Sequence, residues 1–163
     1  MSRKVFTSFH YSADNWRASQ VRNMGKIEGN PIATTNNWEE VTKGGDKAIE
    51  KWIDDNMHGK SCVIVLIGSE TSNRKWIDYE IKKAWKEKRG IVGIYINKLK
   101  DSNGNQSIKG KNPFEKFDVN GVNFANIVKS YNPPYQNSSD AYNYIKDNIQ
   151  NWIEEAMNIR NRY

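Results

Sequence analysis

Glu80 is the residue around which a reaction could be built. It sits in Trp76-Ile77-Asp78-Tyr79-Glu80-Ile81, just after the polar turn Gly68-Ser69-Glu70-Thr71-Ser72-Asn73. That turn follows a continuous apolar run, Val63-Ile64-Val65-Leu66-Ile67. A run of this kind reads as a strand buried on both faces, and the segment after the turn reads as a helix. On that helix Glu80 falls roughly 85° from the centre of the apolar stripe, a flank position. A carboxylate half shielded by Trp76 could have a raised pKa or be held against a substrate hydroxyl. The alternative is a surface glutamate paired with Lys83, three residues on.

Other residues join Glu80 if the sheet is parallel and open, because ligands then bind at the carboxyl ends of its strands. Ser8, Phe9, His10 and Tyr11 follow the first strand, and Gly68 and Ser69 follow the third. His10 could donate to phosphate or ribose oxygens; the alternative is a loop histidine with its own local partner. Phe9 could flank a ring or enter the core. Arg17 and Arg22, on the first helix, could reach phosphates or remain solvated charges. Trp38, in Asn36-Asn37-Trp38-Glu39-Glu40, could stack on a base or cover the core.

Several chemistries have no footing. There is no Gly-x-Gly-x-x-Gly or Walker phosphate loop and no Gly-x-Ser-x-Gly elbow. With His10, His58 and Cys62 as the full histidine and cysteine complement, a His/Cys zinc site is not expected, and neither is any other metal. Cys62 heads the apolar run and reads as a buried structural thiol. One cysteine cannot form an internal disulfide, which fits a reducing compartment. The expectation is a cytoplasmic protein with no membrane span. The formal net charge is +6, but lysine and arginine are interleaved with acids along the chain. That pattern reads as a solvated surface and not as a nucleic-acid interface.

The elements that must position these residues alternate. A first strand spans Lys4–Phe9, and a helix capped by Ser12 runs to about Met24. A short second strand is expected at Ile32–Thr35, then a helix from about Asp46 to Met57. The third strand is Cys62–Ile67. Its helix runs from about Arg74 to Lys88 and is closed by Gly90. The fourth strand is Ile91–Ile96. Residues 98–113 read as an exposed loop insertion with a turn at Asn103-Gly104. A fifth strand is expected near Ile127–Tyr131, and a last helix over 138–160, capped by Ser139. The alternation predicts one α/β domain over 1–163. It is a flavodoxin-like three-layer sandwich with about five parallel strands in the order 2-1-3-4-5.

The blocks Val5–Tyr11, Val21-Arg22-Asn23, Leu66–Thr71, Arg74–Ile81 and Lys111-Asn112-Pro113-Phe114 resemble the TIR-like proteins of the bacterial Thoeris anti-phage system, the ThsB family. The match runs in order from about residue 4 to 117. Its most specific part is Gly-Ser-x-Thr through Trp-x-x-Tyr-Glu-Ile. The resemblance implies a TIR-like fold and cleavage of NAD at the nicotinamide–ribose bond by a glutamate at the position of Glu80. NAD would be the substrate, with no further cofactor. It also implies a cyclic or conjugated ADP-ribose signal that reaches a partner effector, a phage component as trigger, and homo-oligomeric assembly. Ser8, Phe9, His10, Arg17, Arg22, Trp38, Ser69 and Trp76 are then the candidate substrate contacts. Two other classes remain open: a non-catalytic TIR-like assembly module, and a nucleic-acid binder resting on the net charge alone.

Overall fold

The computed structural model describes residues 3–29 and 40–163. In chain order the elements are β1 (Val5–Ser8), α1 (Tyr11–Arg22), α2 (Gly45–Met57), β2 (Cys62–Ile67), α3 (Lys75–Lys86) and β3 (Gly90–Tyr95). There follow β4 (Asp118–Val119), β5 (Val122–Asn123), a 3-10 turn (Phe124–Asn126), β6 (Ser130–Tyr131) and α4 (Ser138–Asn161). The main sheet is parallel, in the order β1-β2-β3-β6.

The expected strands one, three, four and five are β1, β2, β3 and β6, in the expected neighbour order. The expected second strand, 32–35, lies outside the described residues. On the edge of β1 away from β2, Val5 N donates to Glu28 O at 2.8 Å and Glu28 N donates to Arg3 O at 3.1 Å. Glu28 thus bridges in parallel to Lys4 on the edge where that order puts the second strand.

Side-chain parity divides the interior into two layers. Val5, Cys62, Ile64, Leu66, Val92 and Ile94 face one core, covered by α1 and α4. Phe6, Val63, Val65, Ile67, Ile91 and Tyr95 face the other, covered by α2 and α3. Successive strand residues point to opposite faces, so Ser8 shares the face of Phe6 and looks towards α3. The pairing of Ser8 with Val65 and of Ile67 with Tyr95 aligns the carboxyl ends of β1, β2 and β3.

Some boundaries differ from the sequence expectation. His10, not Ser12, is the residue before α1, and it makes no side-chain cap. Gly90 does not close α3. The helix ends at Lys86, and Lys88 takes the left-handed turn at φ 65°. Gly90 opens β3, where a Cβ would lie 2.9 Å from the backbone of Ala156, so its smallness lets α4 pack on the strand. Asn137, not Ser139, caps α4, its side chain accepting from Asp140 N at 2.8 Å. The fifth strand shortens to Ser130–Tyr131. An antiparallel ribbon, β4–β5, turns at Asn120-Gly121 with φ of 51° and 81°. Among the described residues no helix is long and apolar enough to cross a membrane.

Candidate functional site

The sheet's carboxyl edge carries two turns side by side, β1 to α1 and β2 to α3. In the second, Thr71 Oγ1 accepts from Gly68 N at 2.8 Å and donates to Leu66 O at 3.4 Å. This closes Gly-Ser-x-Thr on its own backbone. The turn delivers the chain to Arg74, whose extended backbone precedes α3.

Glu80 lies on the inner side of α3, 7% exposed. Ser8 Oγ donates to Glu80 Oε1 at 2.6 Å across the gap between α3 and the end of β1. Burial pushes the Glu80 carboxyl up to about 8, and the Ser8 hydrogen bond acts the other way by favouring the ionised form. The flank position read from the helix wheel is therefore corrected. The buried face of α3 comprises Ile77, Glu80, Ile81 and Ala84, with Glu80 inside it. The surface pair with Lys83 does not form; Lys83 Nζ lies 2.8 Å from Glu87 and 3.2 Å from Asp54.

His10 sits at the mouth of the first turn, with Nε2 3.1 Å from Ser12 Oγ. Partial burial lowers its pKa and Arg74 lowers it further, while Glu70 and Asp14 pull it up. These four side chains, drawn from both turns, thus share one electrostatic neighbourhood. Ser69 is half-buried in the second turn. Trp76, one helical turn before Glu80, packs on the α2/α3 core, edge-on to Tyr79 at 5.6 Å, with Lys75 Nζ 4.8 Å from its ring centre.

Two expected contacts are placed elsewhere. Phe9 packs against the α1/α4 core, on the opposite face from Ser8, because strand parity alternates. Arg17 is 4% exposed, and its guanidinium donors are taken up inside the protein. Nε donates to Leu99 O and Nη2 to Asn105 O, both at 2.8 Å, and Nη1 donates to Asp14 Oδ1 at 3.0 Å. Arg22 ends α1 with its Cγ beside Gly29, where a Cβ would lie 4.0 Å from it and 3.8 Å from Thr7 Cγ2 of β1. Trp38 lies outside the described residues.

Residues that the sequence did not single out complete the edge. Asp14 is 1% exposed, one helical turn from His10, and burial raises its pKa against the pull of Arg17. Gly68 packs on it so closely that a Cβ would lie 2.0 Å from Asp14 Oδ2. Gly110 packs on Gly68 in turn, where a Cβ would lie 2.1 Å from the Gly68 carbonyl oxygen. The readable signals were the i, i+3 Asp-Arg pair on α1 and the glycine at 110. Cys62, by contrast, is fully buried, and its thiol is pushed far up by desolvation, as an inert structural cysteine requires.

Such an edge offers one deeply held, proton-binding carboxyl, a hydroxyl on it, and a mixed His, Arg and Glu rim. Among the described residues no cluster of three or more His, Cys, Asp or Glu side chains could hold a metal ion.

Comparison with known proteins gives this edge a context. A family model described as Thoeris protein ThsB, TIR-like domain, matches residues 6–101. The chain is 39% identical over 120 residues to the Bacillus cereus (strain MSX-D12) protein named "Putative cyclic ADP-D-ribose synthase ThsB1". That alignment covers 71% of this chain and 62% of the relative, so the chain spans less than two thirds of it. The chain is also 27% identical over 119 residues to a cysteine–tRNA ligase of Methanococcus aeolicus, covering 67% of this chain and 23% of the ligase. The matched stretch 6–101 contains β1 through β3, with both turns and Glu80. This chain belongs to the family of the Thoeris protein ThsB TIR-like domain.

Proposed function

We propose that this protein cleaves NAD at the nicotinamide–ribose bond and turns the ADP-ribose moiety into a cyclic or conjugated signal for a partner effector. The observation that carries the reading is the Ser8–Glu80 contact of 2.6 Å, a buried carboxyl at the carboxyl edge of the sheet with no cation paired to it among the described residues. Family membership and the name of the B. cereus relative support the same chemistry.

Glu80 is protonated at neutral pH while the site is closed, because burial disfavours the anion. A cationic nicotinamide ring brought against it reverses that balance and releases the proton. The carboxylate then faces the sugar. As the C–N bond breaks, its electron pair leaves with nicotinamide, which departs neutral, and positive charge develops at the ribose anomeric carbon. A fixed carboxylate stabilises that charge more than it stabilises the substrate. An acceptor within the same molecule, a ribose hydroxyl or a ring nitrogen, bonds to that carbon where water is kept out, and the proton a hydroxyl loses returns to the Glu80 carboxylate. Ser8 orients Glu80, and His10 and Ser69 meet the ribose or phosphate oxygens. Trp76 lines the glutamate's side of the site. Arg17 leaves the phosphate role for a structural one, and Arg22 remains the candidate for it.

One observation favours a non-catalytic assembly module instead: Glu80 lies too deep in this conformation to touch a dinucleotide. The two readings part in phage-challenged cells. Mass spectrometry of their nucleotides should show loss of NAD and a new ADP-ribose species with the natural chain, and neither with Glu80→Gln. Equal NAD loss in both removes Glu80 from the chemistry, and no change in either leaves the assembly module.

A further inference from the structure

The segment from Asn97 to Gly110, between β3 and Pro113-Phe114, is exposed over most of its length but tied down at many points. Arg17 of α1 holds the carbonyls of Leu99 and Asn105, and Gln20 holds that of Lys100 at 2.6 Å. Lys98 Nζ donates to Pro133 O at 2.5 Å, and Gln106 Nε2 to Gln136 O at 2.8 Å. Ser107 N donates to Asn97 O at 2.8 Å, closing the segment on itself. Its far end, Gly110, rests directly on the backbone of Gly68 and Ser69. That turn leaves β2, the strand paired with β1 through Ser8 and Val65, and leads into α3, which carries Glu80. Asp14, Gly68 and Gly110 therefore stack in three layers whose two contacts both require glycine.

Two details describe how the strap is held. Among the described residues, Asp14 Oδ2, Asn97 Oδ1 and Ser107 Oγ are buried with no protein hydrogen-bond partner. The anchors are mostly single side chain-to-carbonyl bonds, which a shift of α1 or of the 133–136 stretch would break together. Segments held by few apolar contacts open locally at low free energy.

We propose that residues 97–110 form a strap that holds the Ser8–Glu80 crevice shut by seating Gly110 on the Gly68-Ser69 turn, and that lifting the strap admits substrate. The substrate part of this rests on the function proposed above; the gating does not. Any side chain at 110 must move the strap or the turn, so Gly110→Val is a permanent wedge and Gly110→Ala a milder one. Ile108, 77% exposed on the same strap, supplies the control Ile108→Ser.

The test uses the full chain with Ser8→Cys as a reporter at the crevice floor, labelled by a soluble thiol reagent. Buried Cys62 stays silent. Adding Gly110→Val should raise the labelling rate ten-fold or more and speed amide exchange across 97–111, Gly110→Ala less, and Ile108→Ser not at all. In the Ser8 background, Gly110→Val should raise trigger-free NAD turnover by a similar factor. Faster exchange with unchanged labelling overturns the strap, as does unchanged exchange. Faster labelling with no NAD turnover in any variant upholds the strap and sinks the dinucleotide reading.

Discussion

Two buried carboxyls sit on opposite faces of the same sheet edge, and their partners separate them. Asp14, on the α1 face, is ion-paired to Arg17 at 3.0 Å, and the same guanidinium fastens the strap. Glu80, on the α3 face, has a serine hydroxyl and, among the described residues, no cation. Both are raised by desolvation. Asp14 is balanced inside the protein and does structural work. Glu80 has no cation beside it among the described residues, which is what the proposed function builds on. Burial alone therefore does not distinguish the two acids; the paired cation does.

The sharpest way to break this comparison is Arg17→Met. It strands the Asp14 carboxyl and frees the strap, and should cost ~3–5 kcal/mol in urea unfolding. A loss below ~1 kcal/mol would mean the pair is not a buried anchor.

Glu80→Gln should do the reverse. The folded pKa of Glu80, about 8, lies above its ordinary 4.5, so the folded state holds a proton that the unfolded state gives up. Stability from this group is complete below about pH 4.5 and is lost as pH rises through about 8. Glu80→Gln should flatten that slope and stabilise the protein by ~3 kcal/mol at pH 8.5, with little change at pH 4. Identical pH slopes in the two proteins would show that Glu80 titrates normally.

Ser8→Ala removes the one hydrogen bond that favours the ionised form. It should cost ~1–2 kcal/mol and move the Glu80 titration, followed by carboxyl NMR, still higher. The smallest effect is expected from Lys83→Ala, under ~1 kcal/mol, because its partners Asp54 and Glu87 are exposed or nearly so. A shift of the Glu80 titration in that variant would restore the surface-pair reading.

Much of the frame was legible because it rests on local signals. The apolar run gave β2 its observed bounds, Cys62–Ile67, since a strand buried on both faces leaves no ambiguity of period. Glu80 was singled out in the sequence, but its depth was misjudged. A helix wheel ranks residues by apolar neighbours, and it cannot know that strand parity turns Ser8 towards α3. Arg17 was misread for a related reason. Its partners are the carbonyls of Leu99 and Asn105, more than eighty residues away, and no spacing rule reports a loop's return. The β4–β5 ribbon was legible and missed: Asn120-Gly121 between Val119 and Val122 is a strong hairpin signal. The Gly68–Gly110 contact leaves no trace in periodicity, because it is made by two residues without side chains.

On the proposed function, Glu80 is a neutral buried acid that becomes the working carboxylate when the substrate's positive charge arrives. Nicotinamide release from NAD, followed against pH in the full chain under activating conditions, tests it most directly. The account predicts a rate at limiting substrate that rises with pH and levels off near 8, and a Glu80→Gln variant at least ~100-fold slower with no pH dependence in that window. Equal release by the two proteins, or a profile that falls over the same range, would contradict it.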